Sequence, residues 1–377
     1  MHNPTQSRPN LSRRTMLKLL AAAGVTAVGG YALFEYAPWL DYEQQANQPR
    51  RPFAQDAAPS AMPAQLRELV RYATLAASGH NTQPWHFAIN ENAIEIHPDL
   101  TRHLPAVDPS DRELWISLGC ALENLLVAAR ADGYAPEVTY PDAADFIQVR
   151  LTRDTAQSSP LFAAIPLRQN TRSEYDGQPI KTSDLDQVQA LGLESGVGLH
   201  FVTTPTALET VLDYVNQGNL RQYADKAFLA ELIHWVRFNQ KEALASFDGL
   251  YSRSAGSPAV PRWLGEMVVS GTKPQQQADA DAKKLRSSPG AVVVTSTTED
   301  KSAWVRTGQV YERLALTLTS LNIKSAFLNQ PIEVAAVRGQ FQSALGLGAS
   351  LPQLLVRFGY AAAMTRSLRR PVEQVIM

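Results

Sequence analysis

Trp115, Gly119, Glu123 and Leu125 return as Trp304, Gly308, Glu312 and Leu314, each pair 189 positions apart. The surrounding texts are ELWISLGCALENLLVAARADGY and SAWVRTGQVYERLALTLTSLNI. Both carry apolar residues at helical spacing. Each follows a strand-like run, Ile94–Ile96 and Val292–Val294. Similar amphipathic stripes would explain the shared leucines. They would not place Trp, Gly and Glu in register without a gap. The chain therefore reads as a duplicated unit, with a first half at 63–157 and a second at 158–377.

Composition allows this. The chain has 377 residues, enough for one large or two medium domains. Its 35 basic and 36 acidic residues leave a net charge of −1, with no long charge run, so nothing points to nucleic acid. The single cysteine, Cys120, excludes an intrachain disulfide and a cysteine-based metal site. It lies among Leu118, Leu122 and Leu125 and reads as a packed thiol. Four of the seven histidines fall between positions 80 and 103, at spacings that fit no metal-binding pair.

The N-terminus carries Ser12-Arg13-Arg14-Thr15-Met16-Leu17-Lys18, a twin-arginine export pattern, followed by an apolar stretch to about Leu40. Residues 1–40 are expected to be an export signal or a retained membrane anchor. The protein would then be periplasmic, free or tethered to the inner membrane. Residues 41–62, with Pro49, Pro52 and Pro59, read as a linker.

Within the first half, Ala64–Ala77 has helical spacing, and Phe87–Ile89 and Ala93–His97 read as a hairpin. Between them lies Ser78-Gly79-His80-Asn81-Thr82-Gln83-Pro84-Trp85. Ser78 offers a hydroxyl, and Asn81 and Gln83 offer amides that donate and accept. Such groups suit the edge of a flavin ring or a base, or a turn over a buried Trp. In the second half, Arg168 and Arg172 are four apart. On a helix they would share a face, as a phosphate site or a solvated basic face. The loop-rich stretch 246–290 reads as a lid. Leu354–Tyr360 reads as a buried strand, and a basic tail, Arg366-Ser367-Leu368-Arg369-Arg370-Pro371, follows it.

SGHNTQPW resembles the flavin loop of nitroreductase-like FMN oxidoreductases, where Ser-x-x-Asn-x-Gln-Pro-Trp follows the first long helix. From about residue 64 onward the chain resembles the duplicated, Acg-like subgroup, in which two such halves are fused. The resemblance implies an α+β fold, each half an antiparallel sheet packed by helices, with FMN between the halves. It implies flavin contacts from Ser78, Asn81 and Gln83, with Trp85 shaping the loop. It implies phosphate and ribityl contacts from Arg168, Asn170 (or Thr171) and Arg172. Arg369 would complete the phosphate site, with Arg366 and Arg370 as competitors. The motif occurs once, so one flavin site is expected, and Arg67 and Arg71 would not form a second. The implied activity is reduction of nitroaromatics, quinones or similar small acceptors by a small-molecule electron donor, in a pseudo-dimeric monomer. The alternative is an FMN-binding or sequestering protein with little turnover. No catalytic side chain and no metal is implied.

Overall fold

The computed structural model of the chain describes residues 30, 41–52, 64–141 and 145–377. The twin-arginine pattern, the apolar stretch to residue 40 and residues 53–62 of the expected linker lie outside the described residues, apart from Gly30.

The first half forms one antiparallel sheet from β1 (Trp85–Ile89), β2 (Ala93–Pro98), β3 (Tyr134–Thr139) and β4 (Ile147–Arg153), in the order β1-β2-β4-β3. The second half contributes β5 (Val197–Val202), β6 (Val236–Arg237), β7 (Leu250–Tyr251), β8 (Gly290–Ser296), β9 (Lys324–Phe327) and β10 (Leu351–Gly359). Strands β6 and β7 make a short parallel ribbon, and the others form a second antiparallel sheet in the order β5-β8-β10-β9. Exchanging β1, β2, β3 and β4 for β5, β8, β9 and β10 converts one order into the other. The duplication read from the helices therefore extends to the sheets. Inward residues fill the pleats as period-two burial requires: Phe87, Ile94 and Ile96 in the first sheet and Val292 and Val294 in the second are all fully buried.

Of the thirteen α-helices among the described residues, eight are used below. Helix α1 (Tyr42–Asn47) precedes the first half, and α2 (Ala64–Ala73) and α3 (Arg112–Ala131) belong to it. The second half has α4 (Pro205–Gln222), α5 (Lys226–Trp235), α6 (Arg262–Gly271), α7 (Pro274–Arg286) and α8 (Lys301–Ser320). Helices α3 and α8 are the repeated pair, and they pack against each other across the middle of the molecule. Asp111 and Asp300 occupy their N-caps, and left-handed Gly133 and Asn322 follow their last turns; both pairs keep the 189-residue spacing. Asp300 Oδ1 accepts from Ala303 N at 2.8 Å, while α3 uses Asp108, whose Oδ2 accepts from Leu114 N at 3.0 Å. One continuous apolar core runs through the interface, joining Leu118, Leu122 and Leu125 to Val310 and Leu314. Helix α3 is long and apolar enough to cross a membrane, but it is the buried centre of this core.

The second half also lends backbone to the first. Phe87 N donates to Val375 O at 2.7 Å and Met377 N to Phe87 O at 2.9 Å, so the tail adds to the edge of the first sheet. Within the second half, Asn170 makes a parallel bridge to Ser325 on β9, the edge equivalent to β3 rather than β1.

Three expectations need correction. Residues 42–50 are not a plain linker: α1 and a 3-10 turn (Gln48–Arg50) dock on the body. Residues 246–290 are not one lid. Helix α7 packs on α4 with Leu285 buried, whereas α6 leaves Trp263, Met267 and Val268 exposed. Finally, Arg168 and Arg172 do not share a helical face. The preceding helix stops at Ala164, and Asn170 lies in an extended bridge. The edge of β9 captures this segment's backbone, so the side chains diverge.

Candidate active site

The SGHNTQPW loop is strained, and its polar side chains hold the strain. His80, Asn81 and Gln83 have φ of 46°, 55° and 53°. Such left-handed conformations persist only where surroundings over-determine them. Asn81 Nδ2 donates to Gly249 O at 3.0 Å, and its Oδ1 accepts from Arg369 Nη1 at 2.9 Å. Gln83 Nε2 donates to Phe247 O at 2.9 Å, and its Oε1 accepts from Arg370 N at 2.8 Å. Ser78 Oγ accepts from Gln83 N at 3.1 Å. Both amides thus tie the loop to the 247–249 turn and to the tail. Trp85 is fully buried beneath.

What the loop presents is the edge at Ala77–His80. That edge, α3 and the 170–172 segment border a cavity of about 260 Å³ between the halves. Leu328, Asn329 and Gln330 form a third wall, and Tyr223, Phe228 and Leu232 cover one side. Of the expected flavin contacts, Ser78, Asn170 and Arg172 line this cavity; Asn81, Gln83, Arg168 and Arg369 stand behind it.

Arg172 is the open charge. No carboxylate pairs with it among the described residues, and burial pushes its guanidinium below the usual range, with Arg357 and Arg168 adding to the effect. Arg357 is the positioning group. Fully buried in β10, it donates from Nη2 to Ser173 O at 2.7 Å, and its guanidinium lies 4.0 Å from the centre of the Tyr175 ring. His80 borders the cavity with Nδ1 unpartnered; burial, helped by Arg172, lowers it to about 4, so it is neutral at pH 7.

Behind the cavity the cations converge. Arg168 Nη2 and Arg369 Nη2 both donate to Leu75 O, at 2.9 and 3.3 Å. Arg168 Nε lies 2.7 Å from Glu312 Oε1, close but without the N–H aligned on the oxygen. Arg369 is 7% exposed, and its Nε has no partner. Arg366 and Arg370 point elsewhere, to Pro166 O and Gln83 O. The corresponding cations of the first half are engaged: Arg71 pairs with Glu68 and donates to Pro49 O, and Arg67 pairs with Glu373.

Sequence reasoning missed the acids. Burial and the neighbouring Glu333 push Glu113 up to about 8, and burial takes Glu333 to about 7. Both line the cavity, and Glu113 Oε1 accepts from Arg112 Nη2 at 2.8 Å. Glu113 sits two residues before Trp115, at a position where the second repeat has Ser302, so the comparison of repeats held the signal. The Leu328–Gln330 wall and Lys284, paired with Asp281 at 3.0 Å, had no comparable signal. Cys120 also borders the cavity, its thiol pushed up by burial.

No family model matches the chain. Two curated Mycobacterium tuberculosis proteins are similar over most of their length. Rv3131 is 28% identical over 326 residues, 82% of this chain and 90% of its own. Acg is 25% identical over 321 residues, 82% of this chain and 94% of its own. Both carry provisional names as NAD(P)H nitroreductases. Among solved structures, the FMN-dependent nitroreductase NfnB of Mycobacterium smegmatis, in complex with NADPH, aligns at 13% identity and TM-score 0.39, covering 57% of this chain and 96% of that one. Across both of its halves, then, the chain is similar in sequence to proteins named as NAD(P)H nitroreductases, Rv3131 and Acg among them.

Proposed function

We propose that the protein is an FMN-dependent oxidoreductase of nitroreductase type, passing electrons from a small-molecule donor to a nitroaromatic, quinone or similar small acceptor. The observation that carries this reading is the meeting of Ser78–His80 from the first half with Asn170 and Arg172 from the second on one interhalf cavity. The relatives' names as NAD(P)H nitroreductases support the same reading.

The residues fit the group. A phosphate monoester carries roughly −1.5 to −2 charge at pH 7, and the buried Arg168–Arg369 pair, with a free Arg369 Nε, offers charge-assisted donors for it. FMN, when bound, supplies the electron-transfer chemistry. The chain supplies the surroundings. Arg172 favours any ligand atom that gains negative charge at its wall. Tyr223, Phe228 and Leu232 exclude water from one side, and Glu113 holds a proton beside the cavity at neutral pH.

The twin-arginine pattern supports export to the periplasm, with or without a retained anchor. A free nicotinamide donor is not expected there. That consideration, with the aromatic cover at Tyr223 and Phe228, favours a second reading as an FMN holder with little turnover.

Absorbance spectra of the purified protein, reconstituted with FMN and mixed with NADH or NADPH without oxygen, separate the readings. Prompt bleaching of bound flavin supports the reductase. Flavin that binds and is reduced by dithionite alone supports the holder, and no bound flavin removes both.

A further inference from the structure

We infer that the N-terminal strap, Tyr42–Arg50, is a clamp on the phosphate end of the bound flavin, with Arg50 supplying a third guanidinium beside Arg168 and Arg369. The inference rests on the FMN reading above and adds a residue outside both nitroreductase-like halves.

The strap is fastened to the tail that carries Arg369. Tyr42 OH donates to Arg366 O at 2.7 Å, and the Tyr42 ring packs 4.6 Å from that of Tyr251. Ala46 is fully buried against the cluster containing Leu368. Pro49 O accepts from Arg71 Nη1 at 2.6 Å, which pins the strap's end to α2. Arg50 then folds inward. It donates to Ala46 O and, through Nη2, to Ser367 O at 3.3 Å, two residues before Arg369.

The charges there do not balance. Among the described residues Glu312 is the only carboxylate in ion-pair contact with Arg50, Arg168 or Arg369. The remaining partners are neutral: carbonyl oxygens of Ala46, Leu75, Ala76, Ser367 and Leu368, and the side-chain amide oxygen of Asn81. Three guanidiniums against one carboxylate leave two withdrawn positive charges, and such charges are costly without a counter-ion. After burial, the strongest influence on Arg50 is repulsion from Arg369, then Arg366 and Arg168. Burial and Arg168 likewise bring Arg369 down to about 9. A phosphate dianion matches the surplus in sign and size, and the unpartnered Arg369 Nε–H is a donor for it. Carbonyl caps alone would explain the hydrogen bonds and leave the repulsion uncompensated.

The test is flavin binding by the full chain, read by quenching of flavin fluorescence, with FMN and with riboflavin, which lacks the phosphate. Arg50→Ala should weaken FMN by about tenfold or more and leave riboflavin unchanged. Arg50→Lys should restore part of the difference. An unchanged FMN affinity in Arg50→Ala overturns the clamp alone. An equal loss for both flavins also overturns it and assigns Arg50 to packing. Wild-type protein that binds neither flavin overturns the clamp together with the FMN reading.

Discussion

Gly119 and Gly308 meet backbone to backbone where α3 crosses α8. A Cβ on Gly119 would stand 2.0 Å from Val305 O and 3.0 Å from Gly308 Cα. One on Gly308 would stand 2.0 Å from Ile116 O and 2.8 Å from Gly119 Cα. The contact is nearly reciprocal, as an isologous contact between equivalent surfaces must be. Here the two surfaces belong to one chain.

Either glycine should therefore be intolerant of a single methyl. Overpacking costs about 1–3 kcal/mol where neighbours yield, and here the opposing atoms are backbone. Gly119→Ala and Gly308→Ala should each lose about 3 kcal/mol or more by urea denaturation. The double variant should lose less than the sum, because the first methyl already separates the helices. A loss below about 0.5 kcal/mol, the size of an ordinary surface change, would contradict the close crossing.

The acid pair sets a pH dependence of stability. Glu113 is raised to about 8 in the folded chain from 4.5, so across this window the native state holds a proton that the unfolded state has released. Stability falls as pH rises through it, with a slope of up to about 1.4 kcal/mol per pH unit. His80 acts oppositely. Its lowering to about 4 from 6.5 makes stability fall as pH drops through that range. Above 6.5 the His80 contribution no longer varies, while that of the raised acids still does. Glu113→Gln should flatten the stability profile there and gain most at the alkaline end, measured as Tm against pH.

Arg172 should trade stability against binding. Among the described residues its positive charge has no carboxylate partner. Arg172→Met should stabilise the flavin-free chain by roughly 1 kcal/mol, the low end for replacing withdrawn charge with apolar volume. It should weaken FMN at least severalfold. Thermal melts and fluorescence titration read the two effects separately, and a destabilised flavin-free variant would contradict the account.

Gln83→Ala should act from behind the cavity. It strands the Arg370 N–H and the Phe247 carbonyl while leaving the cavity lining intact. A cost of about 1–3 kcal/mol is expected, together with weaker flavin binding because left-handed Asn81 and Gln83 lose their restraint. If Gln83 instead touched the ring, the variant would lose affinity without losing stability.

The sequence was legible where a local rule dictated the outcome. Trp115, Gly119 and Glu123 repeat because the two long helices face each other at equivalent positions. It was illegible where tertiary contact overrode spacing. Arg168 and Arg172 are four apart, yet the β9 edge extends their backbone and sends one toward Glu312 and the other into the cavity. Asn81 and Gln83 looked like ligand-binding amides because sequence does not reveal the 247–249 turn or the tail. The Pro-containing segment before residue 52 looked like a spacer, since the buried faces of Tyr42 and Ala46 exist only against Tyr251 and Leu368.

The exchange of backbone between Phe87 and residues 375–377 has a consequence for how the molecule is made. The edge of the first sheet waits for a segment almost three hundred positions downstream. Residues 64–157 supply all four strands of that sheet, but the edge at Phe87 gains its last partner only after the tail has been translated. The halves share a last step in assembly as well as an interface, and a cut between them would strip the tail from the edge of the first sheet.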